Sequence, residues 1–495
     1  MSHFLLAIDQ GTTNSRAIIF NTQGEIISEH EIPLKQFFPK TGWVEQDPEE
    51  MFLNTVTCCQ TAVKKIHLSP SSIAAIGITN QRETTILWDK NTGKPIYPAI
   101  VWQDRRTSDL CTDFENNGLG ITIQDKTGLR LDPYFSATKI IWLLDNIPDA
   151  RLKAERDELL FGTVDTYLLW KLTNGKVHAT DVTNASRTML FNIHTQKWDD
   201  FLLEKFNIPA NILPPVYDNA AEFGSLDKSI LGVALPIRGM AGDQQAATIG
   251  QACFHPGMIK TTFGTGCFML LNTGSHFVQS KHHLLSTIAY RLNQQVTYGL
   301  EGSIFSAGVT VKWLRDTMQL IQTATETELL ASSIQSTDGV YFVPAFTGLG
   351  APYWDPHARG AILGLTRSSS KAEIVRAALE SVCYQTTDLL KAIENDFPEP
   401  INTLRADGGM ATNNWLLQFL ANMLAITIQR PTCIETTALG AAYLAGLQSG
   451  IYQSLDEISK WWQMDSEFYS QIQEDERNDL YLGWKNAVKK VLSTS

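Results

Sequence analysis

The chain has 495 residues, 43% hydrophobic and 19% charged, with a formal net charge of −12. That length exceeds what one hydrophobic core usually supports, so two domains are expected, and so acidic a chain lacks the basic face that nucleic acid requires. The seven cysteines contain no C-x-x-C pair and no apolar run approaches the ~18 residues of a membrane span, which together predict reduced thiols, no membrane span and a cytoplasmic location.

Met1-Ser2-His3 leads directly into an apolar run, without the pattern of a signal peptide. Leu5 to Ile8 and Ala17 to Phe20 read as buried strands joined by a turn at Gly11. Glycine frees the backbone there, so the N–H groups of Gly11, Thr12 and Thr13 can close around an anion. Asp9, at the mouth of the first strand, is placed to hold Mg²⁺, an ion that takes one or two carboxylates together with substrate phosphates. Cys58 and Cys59 fall on a predicted helix. Strand-like runs at Ile73 to Thr79 and Thr84 to Trp88 alternate with longer helical stretches, the pattern of an α/β fold.

Gly239 to Gly242 leads through a glycine turn into Asp243, and Ala246 to Ala252 predicts a small-residue helix crossing to the second half. A boundary near residue 250 divides the chain into domains at 1–250 and 251–495. Ile259 to Leu271 then repeats the first hairpin half a chain later, with Gly264-Thr265-Gly266 between apolar strands and no acid at the position of Asp9. Two such hairpins facing one crevice would grip a polyphosphate from both sides. The paired histidines His282 and His283 read as a polar surface loop.

Further on, Ser368 to Ser370 predicts a cap for a helix over Lys371 to Ile393, whose Ile374, Ala378, Val382, Leu389 and Ile393 give it one buried face. Leu404 to Ala406 predicts a strand, Asp407-Gly408-Gly409 a turn, and the next segment a helix carrying Trp415, Phe419 and Met423. Strand, glycine turn and helix can bring a backbone against a nucleotide, and Asn413 either caps that helix or touches the ligand. The helix Ala438 to Leu447 is rich in Gly and Ala, as close packing requires. Acids at Glu474 to Glu476 and bases at Lys485, Lys489 and Lys490 match the dipole of a last helix.

Three segments hold more polar groups than a sheet needs: NQRETTILW from Asn80, VWQDRRT from Val101 and GDQQ from Gly242. With GWVEQDP at Gly42, DPYFSATK at Asp132, FGTVDTYLLWKLT at Phe161, TNASRTMLFNIHT at Thr183 and VPAFTGLGAPYWDP at Val343, the sequence resembles the FGGY family of carbohydrate kinases from Ile8 to about Gly446. Several of these segments are those of its glycerol-phosphorylating members. The resemblance implies two ribonuclease H-like, actin-like ATPase domains flanking a cleft. It also implies ATP-dependent, Mg²⁺-assisted phosphorylation of glycerol to sn-glycerol 3-phosphate, in glycerol uptake and catabolism, by a homodimer or homotetramer.

A neutral triol is recognised by charge-assisted hydrogen bonds between apolar walls. Arg82 and Glu83 offer a donor and an acceptor, unless they are only a solvated pair at a strand end. The resemblance adds Tyr134, Asp243 and Gln244 as polar contacts and Trp102 and Phe268 as walls. Asp243 is the candidate general base. Thr12, Thr13, Asn14, Arg16 and Thr265 would cradle phosphate, and Gly308, Gly409 and Asn413 would line the nucleoside. Lys312 stands where relatives carry Gln; as i+4 from Gly308 it shares that helix face and either meets nucleotide phosphate or extends into solvent. The competing readings are a kinase for another polyol or a pentulose, and an actin-like or chaperone-like nucleotide switch with no small acceptor.

Overall fold

Continuous apolar runs form central strands when helices cover both faces of a sheet, and the first half of the chain is built this way. The structure is a computed structural model describing residues 4–67 and 69–493; Met1–His3 lie outside the described residues. Strand β1 (Phe4–Gln10) pairs antiparallel with β2 (Asn14–Asn21), and β2 with the half-exposed edge strand β3 (Ile26–Pro33). On the other side of β1 run the parallel strands β4 (Ile73–Asn80) and β5 (Ile237–Gly242), giving the order β5-β4-β1-β2-β3. Because side chains alternate along a strand, Leu6, Ile8, Ala17 and Ile19 pack towards α1 (Pro48–Lys65), which also holds Cys58 and Cys59. Leu5, Ala7, Ile18 and Phe20 point to the opposite face.

Strand β5 passes directly into α2 (Asp243–Gly250), with no turn between them. This corrects the predicted placement: Asp243 is the first helical residue, and the helix ends two residues earlier than the small-residue run suggested.

The second half repeats the plan. β6 (Ile259–Phe263) and β7 (Cys267–Gly274) form the second hairpin, extended by β8 (Leu285–Leu292) and β9 (Gln295–Ile304) on one side. On the other side of β6 lie β10 (Thr403–Asp407), β11 (Thr427–Pro431) and β12 (Met464–Phe468), so the sheet order is β8-β9-β7-β6-β10-β11-β12. Helix α3 (Gly308–Asp316) follows β9. α4 (Lys371–Asp396) starts at a capping box in which Ser370 N–H donates to Glu373 Oε2 at 2.7 Å.

The expectation of one buried face on α4 is corrected: from Ala377 to Leu390 it is buried all round, between the sheet and the helices α5 (Asn414–Leu424) and α7 (Glu474–Lys489). Its buried Asp388 is satisfied there by Tyr353, Tyr481 and Trp484. The acids of α7 stand in its first turn and Lys489 in its last, as the dipole predicts. His282 and His283 lie exposed in a loop, His282 against Asp396 at 2.7 Å. Among the described residues, no helix is long and apolar enough to cross a membrane.

The halves meet along α6 (Thr436–Gln448), which packs on β1, β4 and β5 of the first sheet and crosses α2. Small residues make that crossing possible. A Cβ on Gly440 would stand 1.8 Å from the Ala246 carbonyl oxygen, and one on Gly77 would stand 2.0 Å from that of Ala441. Gly440→Ala is therefore expected to force the two backbones apart and cost about 3 kcal/mol, read as a lowered midpoint of urea unfolding. Gly409→Ala, where a Cβ meets nothing within 4 Å, should unfold near the parent's midpoint.

Candidate active site

The two hairpins face each other across a cavity of about 190 Å³. Asp9, Thr12, Thr13 and Arg16 line it from the first and Thr265 and Phe268 from the second; Arg82, Glu83, Trp102, Tyr134, Asp243 and Gln244 complete its walls. Asn14 lies just outside, its amide 3.3 Å from Glu31 Oε2.

Arg82 and Glu83 are not a solvated pair: they are 2% and 1% exposed. Both guanidinium Nη atoms of Arg82 donate to Glu301 on β9, Nη1 also to Gln245 Oε1 at 3.1 Å, while Nε lies 3.2 Å from Asp243 Oδ1. Nη2 reaches the Tyr134 hydroxyl at 3.4 Å. Glu83 pairs more closely with Arg187, whose Nε donates to its Oε1 at 2.6 Å, than with Arg82 at 3.8 Å. Arg187 also donates to Glu301 at 2.8 Å. Burial opposes the charge on Glu301, but Arg187 and Arg82 more than offset it and bring its carboxyl to about 2. Glu83 adopts a left-handed φ of 60°, held by Ser136 and Thr85 hydroxyls donating to its carbonyl at 2.9 and 3.0 Å.

The apolar walls are tied to the phosphate side. The Trp102 indole N–H donates to Thr12 Oγ1 at 2.9 Å, and its ring meets Phe268 and Tyr134 edge-on at centroid distances of 5.8 and 5.6 Å. Gln244 is held by the buried Lys260 ammonium, which donates to its Oε1 at 2.5 Å and to Thr262 Oγ1 at 2.9 Å.

Asp243 occupies the mouth of this pocket. Its Oδ1 accepts the Gln244 N–H at 2.7 Å and faces Arg82; among the described residues Oδ2 has no partner. Burial raises its carboxyl above the usual range, with Arg82 and Lys260 drawing it part-way back. Asp9 has a similar division: Oδ2 accepts from Arg16 Nη2 at 3.0 Å, Oδ1 has no partner among the described residues, and Arg16 is also paired to Glu435 at 2.7 Å. One free carboxylate oxygen beside a phosphate-sized hairpin suits a hydrated Mg²⁺, which needs few protein ligands.

The predicted nucleoside residues cluster beside the second hairpin. Gly308 N–H donates to the Gly264 carbonyl at 3.0 Å, and a Cβ on Gly308 would stand 2.5 Å from that oxygen and 3.8 Å from Met410 Sδ, next to Gly409. Asn413 is the cap of α5, its Oδ1 accepting the Leu416 N–H at 2.9 Å. Lys312 is exposed on α3, where its charge acts on Asp316.

Glu301, Arg187, Lys260 and Gln245 escaped the sequence reading. Glu301 and Lys260 each carried a signal, a lone charge inside an apolar strand, which a buried position tolerates only when paired.

The sequence matches the FGGY family of carbohydrate kinases along most of its length, the N-terminal domain over residues 4–250 and the C-terminal domain over residues 259–449. The chain belongs to this family. Glycerol kinase of Coxiella burnetii is 58% identical over 494 residues, covering 100% of this chain and 98% of its own length. Glycerol kinase 1 of Pseudomonas aeruginosa is 57% identical over 493 residues, 100% of both chains. The crystal structure of Plasmodium falciparum glycerol kinase with ADP matches at a TM-score of 0.89 and 38% identity, covering 99% of this chain and 98% of that one. Gluconate kinase from Lactobacillus acidophilus, at 23% identity and a TM-score of 0.86 over 99% of this chain and 98% of its own, shares the fold. This FGGY kinase thus has the actin-like ATPase fold in two mixed α/β halves.

Glu301→Ala should destabilise the FGGY kinase by about 3–5 kcal/mol, since two buried guanidinium groups lose their shared carboxylate. Urea unfolding measures this, and Glu301→Gln, which keeps the shape and one acceptor oxygen, should lose less.

Proposed function

We propose that this chain transfers the γ-phosphoryl group of ATP to a terminal hydroxyl of glycerol, yielding sn-glycerol 3-phosphate and ADP, in the cytoplasm as a step of glycerol uptake and catabolism. The observation that carries this reading is the free Oδ2 of Asp243, in a cavity with polyol-sized polar groups on one side and two phosphate hairpins on the other. Full-length identity of 57–58% to proteins named glycerol kinase supports the choice of acceptor.

Glycerol lies with its carbon chain against Trp102 and Phe268 and its hydroxyls towards Arg82, Glu83, Tyr134 and Gln244. Asp243 Oδ2 takes the proton of the attacking hydroxyl. Its raised basicity favours that step, and Arg82 on Oδ1 leaves Oδ2 the reactive oxygen. Thr12, Thr13, Asn14, Arg16 and Thr265 hold the polyphosphate, so the acceptor and phosphorus approach in line. Mg²⁺, when bound with ATP, supplies charge neutralisation, and Asp9 Oδ1 is the oxygen that would hold it. Gly308 and Gly409 leave room for the nucleoside, with Asn413 fixing the helix behind it. Residues 1–250 form the glycerol-binding domain and residues 251–495 the nucleotide-binding domain, in a homodimer or homotetramer.

ADP release coupled to a dehydrogenase tests the acceptor. Release should be near background without glycerol and rapid with it; equal release in both would favour a nucleotide switch. Asp243→Asn should lower kcat by about 10²-fold or more while the KM for glycerol moves far less.

Lys312 lies one helical turn from Gly308, and we place its ammonium near nucleotide phosphate in the complex. Lys312→Gln should weaken ADP binding at low ionic strength, with the difference closing as salt rises.

A further inference from the structure

Asp181 is fully buried, is used by no step above, and makes no ion pair among the described residues. Its Oδ1 accepts from the Thr183 hydroxyl, from the Thr183 N–H at 2.7 Å and from Asn219 Nδ2 at 2.9 Å. Its Oδ2 accepts from Asn184 Nδ2 at 2.7 Å. The bland account is that Asp181 caps the short helical turn Val182–Ala185. That account covers the backbone N–H and leaves the three side-chain donors unexplained.

Two of those donors, Thr183 and Asn219, go on to hold β5. Thr183 Oγ1 accepts the Gly242 N–H at 2.9 Å, and Asn219 Nδ2 also donates to the Met240 carbonyl at 2.9 Å. The strand is thus fixed at two points immediately before it delivers Asp243. Only a group that both donates and accepts can stand where Thr183 does, since it takes an N–H on one side and gives its proton to a carboxylate on the other. Asn184 extends the same cluster to the other side of the pocket: it exchanges hydrogen bonds of 3.0 Å with Asn80, whose Nδ2 donates to the Gln81 carbonyl at 2.8 Å, next to Arg82.

We infer that Asp181, acting through the Thr183 hydroxyl, is a positioning residue that sets the direction of the Asp243 carboxylate. The inference rests on Asp243 as the base. An error of about 1 Å in the placement of a reacting group costs on the order of 10²-fold in rate, which sets the scale of the effect.

Thr183→Val keeps the branched shape and removes the hydroxyl. Its kcat, per folded enzyme, should fall by roughly 10- to 100-fold with the KM for glycerol within about threefold of the parent, and Thr183→Ser should recover most of the loss. If Val does not fold, Thr183→Ala is held to the same numbers.

The deciding measurement repeats the substitution in Asp243→Asn. A residue that works through Asp243 has nothing left to position there, so Thr183→Val should then cost almost nothing further. The same fold-loss in both backgrounds, or a single variant within threefold of the parent, overturns the inference. An Asp243→Asn enzyme as fast as the parent overturns the assignment of the base instead, so the two failures are told apart.

Discussion

The pairing of Arg82 with Glu301 is the interaction on which the rest of the site depends. A guanidinium taken wholly out of water is tolerated only against carboxylates with good geometry, and Glu301 meets Arg82 with both oxygens while also accepting from Arg187. Arg82 comes from the loop after β4, in the first sheet, and Glu301 from β9 in the second. Among the described residues Glu301 has no ion-pair partner in its own half, and both Nη atoms of Arg82 find their carboxylate in the other one. The pocket walled by Arg82 and Glu83 takes this form only when the two sheets are brought into register, and any slip between them strands the Glu301 carboxylate.

Register is kept by the α2–α6 crossing, where backbone meets backbone with no side chain between. A contact of that kind has little freedom to slide. The same helix α2 starts with Asp243 and Gln244, so the element that locks the halves also carries the proposed base and one proposed polyol contact. The two hairpins, though alike in plan, differ in charge. The first has Asp9 and Arg16 and suits a hydrated cation and phosphate; the corresponding place in the second is Thr262, backed by the Lys260 ammonium. A cation held on one side and fixed donors on the other would divide the charge of a polyphosphate between them.

Much of this was legible in the sequence, because the decisive patterns are local. A glycine turn between apolar runs identifies each hairpin within about fifteen residues, and the Ser370 cap and the α7 charges are equally short-range. The failures are long-range. Arg82 and Glu301 are 219 positions apart, and no local pattern links them. Periodicity counts apolar residues only and therefore predicts a single buried face for α4. Asp388 is buried because Tyr353, Tyr481 and Trp484 reach it from distant segments, whereas Glu380 is buried against Arg376 and Tyr384 one turn away on the same helix. The small-residue run at Ala246 suggested a later start for α2, since helix propensity gives no sign that an Asp at the first position will be retained by a cleft.

That first position also resolves a conflict in what the base must be. Burial makes a carboxylate a stronger base, yet carried too far it would leave the group protonated and useless at neutral pH. At the start of α2, Asp243 is next to unsatisfied helical N–H groups, whose partial positive charge favours the ionised form. Arg82 on one oxygen and Lys260 at longer range add to it. Burial thus makes the carboxylate more basic, while Arg82 and Lys260 favour its ionised form. Arg82 and the Gln244 N–H both occupy Oδ1, so in the proposed mechanism Oδ2 is the oxygen left to take the proton of the acceptor.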